Sequence, residues 1–153
     1  MVNFIAYTGH TNNVDKMLQA LKHNVYHHEN SWQDSFCKLA ALSCYTLPNE
    51  DKIPQPYQVE DWVVVADCRI DNREELAQVF KWDNFEDKAD VEFIVEAFKV
   101  FGNQCCAHLI GDFVFVIYTI STRQIFAGRD HLGVRTLYYT LVNNNLVFST
   151  EIK

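Results

Sequence analysis

The chain has 153 residues, a formal net charge of -7, 48% hydrophobic and 14% aromatic residues. That apolar content excludes a disordered tail, and a domain of this length buries roughly two-thirds of its unfolded surface, enough to stand without disulfide staples. The acidic balance gives no electrostatic reason to approach a phosphate backbone or an anionic membrane, so neither nucleic acid nor a membrane is an expected partner.

No apolar run approaches the roughly 20 residues that span a bilayer, and the first residues lack the basic segment, apolar core and small-residue cleavage site of a signal peptide. A cytoplasmic protein is expected. Cys37, Cys44, Cys68, Cys105 and Cys106 form an odd set without paired C-x-x-C spacing. Neither a disulfide framework nor a metal site is expected from them, and they read as reduced, mostly buried thiols.

Val2 to Tyr7 reads as a short apolar strand closed by Thr8-Gly9. Val14, Met17, Leu18 and Leu21 then recur at helical spacing after the capping-type residues Asn12 and Asn13. His23 to Asp34 has no clear period and suits a loop, while Phe36 to Tyr45 is a candidate strand ending at Leu47-Pro48. Pro48, Pro54 and Pro56 bracket a polar segment that cannot hydrogen-bond as an internal strand.

Trp62 to Ala66 is a continuous apolar, β-branched run, and Asp71-Asn72 offers an N-cap for a helix from Glu74 to Phe80. A second helix carries Val91, Ile94, Val95 and Phe98 at i, i+3, i+4 and i+7. Asp87 or Asp90 can cap its start and Gly102 can end it with a positive φ.

From Asp112 the pattern changes to short strands, Phe113 to Thr119, Gln124 to Gly128, Leu137 to Leu141 and Leu146 to Ser149, whose spacing predicts an antiparallel meander. In the first of these, Phe113, Phe115, Ile117 and the alternate set Val114, Val116, Tyr118 are all apolar, so both faces of that strand are expected to be covered. Composition alone allows either a sandwich of two sheets with helices outside or one sheet with helices on one face.

Three stretches carry a resemblance: Gly111-Asp112-Phe113-Val114-Phe115-Val116-Ile117-Tyr118, then Phe126-Ala127-Gly128-Arg129-Asp130-His131-Leu132-Gly133-Val134-Arg135-Thr136-Leu137-Tyr138-Tyr139, and Phe148-Ser149-Thr150-Glu151-Ile152-Lys153. Together they resemble the amidotransferase domain that opens asparagine synthetases, a family similar in turn to β-lactam synthetases and lasso-peptide cyclases. The resemblance implies an α+β, four-layer αββα sandwich of two antiparallel sheets with outer helices, the N-terminal-nucleophile hydrolase fold, as a single domain over 1–153. It also implies that the chain is cut before a C-terminal ATP-dependent synthetase domain. ATP and Mg are expected for that missing domain and no cofactor for this one. A peptide or amino-acid substrate and a homodimer are further partners considered.

Glutamine-hydrolysing members of the family carry a cysteine directly after the initiator methionine, with the free α-amine as base. Val2 stands in that place, and a hydrocarbon side chain has no lone pair to attack an amide, so no catalytic residue is expected. Uncovering Thr8 as an alternative nucleophile would delete the first strand.

The resemblance further assigns a vestigial pocket. The family's Asn-Gly-Glu, whose asparagine stabilises the oxyanion, is matched by Asp67-Cys68-Arg69. A carboxylate there repels a developing oxyanion, and Arg69 repels a substrate ammonium. The family's Arg-Leu is most nearly matched by Lys38-Leu39, which supplies charge without a bidentate fork. Asp90 matches the aspartate that holds the substrate ammonium, and reads equally as a first-turn helix acid.

Asp67 and Arg69, two apart on a strand, read more simply as an ion pair with each other or as solvated charges, although an altered pocket for another small molecule stays open. Arg129, Asp130 and Gly133 read as architectural, with Gly133 allowing a positive φ. His131 reads as a structural or solvated loop histidine, His27-His28 is too poor in spacing for a metal site, and Cys105-Cys106 reads as core because no basic residue adjoins it.

Overall fold

The computed structural model describes residues 1–9, 13–44 and 53–152. In chain order the elements are β1 (Val2–Thr8), α1 (Asn13–Leu21), β2 (His28–Gln33), β3 (Cys37–Ser43), β4 (Tyr57–Val59), β5 (Trp62–Ile70), α2 (Arg73–Phe80) and α3 (Asp90–Phe101). A 3-10 turn (Gly102–Gln104), α4 (Cys105–His108), β6 (Gly111–Thr119), β7 (Gln124–Arg129), β8 (Tyr138–Val142) and β9 (Asn145–Ser149) follow.

The strands form a five-stranded sheet in the order β2-β3-β1-β9-β8 and a four-stranded sheet in the order β4-β5-β6-β7, with antiparallel pairing throughout. The doubly apolar strand decides how they stack. Phe113, Phe115 and Ile117 of β6 pack with Phe93, Ile94 and Ala97 of α3 on one side. Val114, Val116 and Tyr118 face Phe4, Leu39 and Phe148 of the other sheet. On the far side of the five-stranded sheet, Val14, Leu18 and Leu21 of α1 cover Ile5, Tyr7, Ala40 and Leu42. The order helix, sheet, sheet, helix is therefore the four-layer sandwich.

Local departures from expectation each have a physical reason. His28–Gln33 is a strand, β2, rather than a loop: its polar residues are exposed and its backbone is ordered by pairing with β3 at the sheet edge. The last strands are not one meander. β6 and β7 pair in the four-stranded sheet and β8 and β9 in the other, so the connection after Arg129 crosses between sheets.

The N-cap position of α3 is Ala89 rather than an aspartate, and the Glu92 carboxylate accepts its N–H at 2.8 Å. Asn72 is the N-cap residue of α2, but its side chain accepts from Ile110 N–H at 2.9 Å and donates to His108 O at 3.0 Å, tying α4 to the start of β6. The polar segment after Pro54 contributes to the fold through Gln55, whose buried Oε1 accepts the Ala66 N–H at 2.6 Å. The expected cap at Asn12, the strand end at Tyr45 and Leu47-Pro48, and Pro48 itself lie outside the described residues. No helix among the described residues is long and apolar enough to cross a membrane.

The crossing connection is built on Arg129, Asp130 and Gly133. Arg129 donates from Nε to Arg135 O and from Nη2 to Gly133 O, each at 2.6 Å. Asp130 accepts from Val134 N–H at 2.8 Å and Arg135 N–H at 3.0 Å. Gly133 has φ +67°, and a Cβ there would meet the Arg129 guanidinium at 2.7 Å.

Burial pushes the Asp130 carboxyl up, but N–H donation from Arg135, Val134 and Gly133 outweighs it and holds the group below the usual carboxylate range. The unfolded chain, with an ordinary aspartate near 3.9, therefore binds more protons than the folded one below about pH 4. This contribution to stability is intact above that pH and is lost as pH falls through the depressed folded value. In urea unfolding across this range, Asp130→Asn is expected to be less stable at neutral pH and to lose less stability on acidification. For the helical layer, Phe93→Ala at a fully buried position is expected to cost about 3–5 kcal/mol, against no more than about 0.5 kcal/mol for Val79→Ala on the exposed face of α2, by the same measurement.

Candidate functional site

At the head of β1 the chain enters the gap between the sheets. Val2 is buried, and its N–H donates to Asp67 Oδ1 at 2.9 Å. Asp67 lies on β5 in alternation with Val63 and Val65, which belong to the inter-sheet core, so strand pleating turns its carboxylate toward β1. The second carboxylate oxygen pairs with Arg135 Nη1 at 2.8 Å. Arg135 is delivered by the crossing connection, and its Nε is buried with no hydrogen-bond partner among the described residues.

Beside this group, Thr150 Oγ1 accepts the Phe4 N–H at 3.2 Å and lies 3.3 Å from Asn3 Oδ1, closing the far side of β1 where it leaves its pairing with β9. A carboxylate only 8% exposed is thus matched by one backbone donor and one guanidinium, the pairing that burial of a charge requires.

The remaining residues of the expected pocket are dispersed. Cys68 alternates to the opposite face of β5 and packs against the core beneath the helices. Burial pushes its thiol up, and the nearby Asp90 and Asp67 charges add to that. Asp90, the first residue of α3, pairs with Arg73 Nη1. The same guanidinium donates to Phe85 O at 3.1 Å and Lys88 O at 2.6 Å and sits 4.5 Å over the Phe93 ring. Asp90 is therefore part of a clamp between α2 and α3.

Arg69 does not pair with Asp67. It is largely exposed, bonds Asp71 at 3.0 Å, and faces Asp112 directly across the β5–β6 ladder at 3.8 Å. Lys38 lies elsewhere: it is opposite Tyr7, at the other end of β1 from Val2, and binds Asp15 of α1 at 2.7 Å on the outer face of the sheet. The Cys37 and Leu39 side chains take the inner face, and alternation turns Lys38 outward.

Thr8 is buried at the end of β1, its Oγ1 accepting the Leu146 N–H at 2.8 Å. Removing the residues before it would excise a strand that pairs with both β3 and β9. Among the described residues no group of His, Cys, Asp and Glu side chains has metal-holding geometry.

Sequence reasoning placed Val2 and Asp67 in one site and missed Arg135 as their partner. Arg135 stands in the quoted Gly133-Val134-Arg135 run, but only the crossing of the chain between sheets brings it to β5. The arrangement holds an N–H and a guanidinium on a fixed carboxylate.

Comparison with known proteins identifies relatives of this chain. The chain is 38% identical over 79 residues to Amidase chry2 of Gibberella zeae, covering 52% of this chain and 11% of that protein. It is 27% identical over 99 residues to asparagine synthetase [glutamine-hydrolyzing] 3 of Bacillus subtilis, covering 63% of this chain and 16% of the relative. A putative asparagine synthetase [glutamine-hydrolyzing] 2 of Methanocaldococcus jannaschii is 32% identical over 93 residues, 61% of this chain and 18% of the relative. The chain thus spans less than one-fifth of the length of each. A glutamine amidotransferase domain model matches residues 2–153, and the chain belongs to that family, as a domain related to asparagine synthetases.

Proposed function

We propose that this amidotransferase domain does not hydrolyse glutamine and serves as a scaffold or substrate-positioning domain of a cytoplasmic, ATP-dependent, amide-forming ligase. The observation that carries the first half is the Val2–Asp67–Arg135 group: where glutamine chemistry needs a thiol and an oxyanion donor, the chain has an isopropyl group and a carboxylate already neutralised by a guanidinium. The carboxylate accepts the N–H of β1, so that donor is also committed.

Asp90 is engaged by Arg73 through one carboxylate oxygen, which weakens it as an anchor for a substrate ammonium. The attacking atom and the oxyanion donor of a glutaminase are thus both replaced at the head of β1.

The second half rests on the relatives named asparagine synthetases, of which this chain matches only a small part. ATP and Mg would be used by a synthetase domain in the same polypeptide, with the amine supplied by the substrate or by free ammonia. No residue of this domain is assigned to hold either group.

Glutamate release from glutamine by the purified protein is expected to match the buffer blank, and Val2→Cys alone is expected to leave it there. Removing a single oxyanion-hole donor costs about 100–1,000-fold in acyl-transfer catalysis, and Asp67 opposes that charge outright. Sustained turnover by either protein would overturn the reading. For the ligase half, the reading frame is expected to continue beyond Lys153 into an ATP-binding synthetase domain, and a stop codon there would refute it.

A further inference from the structure

The five-stranded sheet ends at β8, and no described segment pairs with the outer side of that strand. All five of its residues, Tyr138 to Val142, are exposed, and none belongs to the apolar cores. Tyr139 is 75% exposed and Leu141 61%. Two tyrosines, a threonine, a leucine and a valine in unbroken register with β9 make a strong β former, without the charges, prolines or bulges that keep sheet edges apart. The opposite edge of the same sheet differs. β2 carries His28 and Glu29, and the Glu29 carboxylate pairs with Lys22 at 2.6 Å.

The turn into β9 sets which backbone groups face outward. Val142 and Asn145 flank a two-residue turn, Asn143-Asn144, whose φ values are 49° and 65°, and the pair that closes such a hairpin exchanges both of its hydrogen bonds. Alternation then commits the N–H and C=O of Thr140 and Tyr138 to β9 and leaves those of Tyr139 and Leu141 pointing out of the sheet. Tyr139 lies opposite Phe148, with ring centroids 6.2 Å apart, so Tyr139 and Leu141 share the face of the sheet turned to the inter-sheet core, and Tyr138, Thr140 and Val142 share the other.

We propose that β8 is a self-association edge, which pairs antiparallel with β8 of a second copy of this chain about a two-fold axis at Thr140. Of the two-fold registers, this one pairs all five residues of the strand. The outward N–H and C=O of Tyr139 in each copy meet those of Leu141 in the other, so both positions become hydrogen-bonded pairs. The side chains match in the same register. Tyr139 stands against Leu141 on one face and Tyr138 against Val142 on the other, aromatic on aliphatic each time, and Thr140 stands against itself at the axis. The five-stranded sheets of the two copies become one continuous sheet.

Charge and area set the strength of the contact. Copies of net charge -7 repel at long range, but the strand itself is uncharged, so closing the edge buries no unpaired ion. At the exposures of Tyr138, Tyr139, Leu141 and Val142, their side chains offer roughly 500 Å² per copy, short of the about 800 Å² per partner of a standard interface. The dimer is therefore weak and reversible, with a dissociation constant on the order of 10–100 μM. The association does not depend on the scaffold or ligase reading.

Sedimentation of the purified protein from about 5 to 500 μM is expected to show a monomer–dimer equilibrium. Thr140→Lys sets like charges directly opposite each other at the axis and is expected to weaken association about tenfold or more, as is Thr140→Glu, whereas an equimolar mixture of the two variants is expected to associate at least as well as the unaltered protein. Thr140 is exposed, so both variants are expected to keep the fold. In amide hydrogen exchange followed by NMR, the N–H groups of Tyr139 and Leu141 are expected to gain protection with concentration, while that of Thr140, bonded to β9, stays protected throughout. A monomer across the whole range, undiminished association of either variant, or a mixture no stronger than its components would each overturn the proposal. Protection of Tyr139 and Leu141 in a monomeric protein would also overturn it, and would assign the edge to another segment of the same polypeptide.

Discussion

The central pair of the four-stranded sheet, β5 and β6, is buried on both faces, and much of the molecule follows from that constraint. With helices on one side and a second sheet on the other, alternate residues of each strand are committed to different environments. Val63, Val65 and Asp67 belong to the gap between sheets, whereas Val64, Ala66 and Cys68 belong to the layer under α3. Three consecutive residues that a linear motif would gather into one pocket are thereby divided. Asp67 meets the head of β1, Cys68 meets the helical core, and Arg69, near the exposed end of the strand, meets Asp71 and Asp112.

Asp67 then has to be satisfied within the gap. Transferring a carboxylate out of water costs several kcal/mol unless donors replace the lost hydration. β1 supplies one donor because its first residues run beyond the pairing with β9. The second comes from the crossing connection, whose Arg129 and Asp130 hold Arg135 by its carbonyl and its amide so that its guanidinium can reach β5. The motif that looks most like a signature in the sequence is thus a mount for the residue beside it. The carboxylate of Asp67 and the guanidinium of Arg135 are a matched pair at the head of β1.

Much of the architecture was legible in local pattern. The two apolar faces of β6 required a layer on each side, the i, i+3, i+4, i+7 spacing of Val91, Ile94, Val95 and Phe98 placed α3, and Gly133 marked a positive-φ connection. What escaped was governed by pairing partners. β2 is polar and becomes a strand only because β3 offers its edge. The separation of β7 from β8 depends on where the chain goes after Arg129, which no hairpin spacing encodes.

The site divided the same way. Lys38 entered the expected pocket by its match to the family's Arg-Leu, but it is one residue out of phase with the inward-facing Cys37 and Leu39, so pleating sends it to α1. Asp90 could be read as pocket or helix acid, and Arg73 settles its environment from a different helix.

Arg129 stands where the chain leaves one sheet for the other. As the last residue of β7 it pairs with Val114 of β6, and its guanidinium holds the carbonyls of Gly133 and Arg135. The residue before it, Gly128, lies against the helical layer, where a Cβ would meet Phe115 at 2.4 Å and the Cys106 sulfur at 2.6 Å. Packing under the helices therefore fixes the end of β7, and the end of β7 fixes the connection that carries Arg135 to the carboxylate between the sheets.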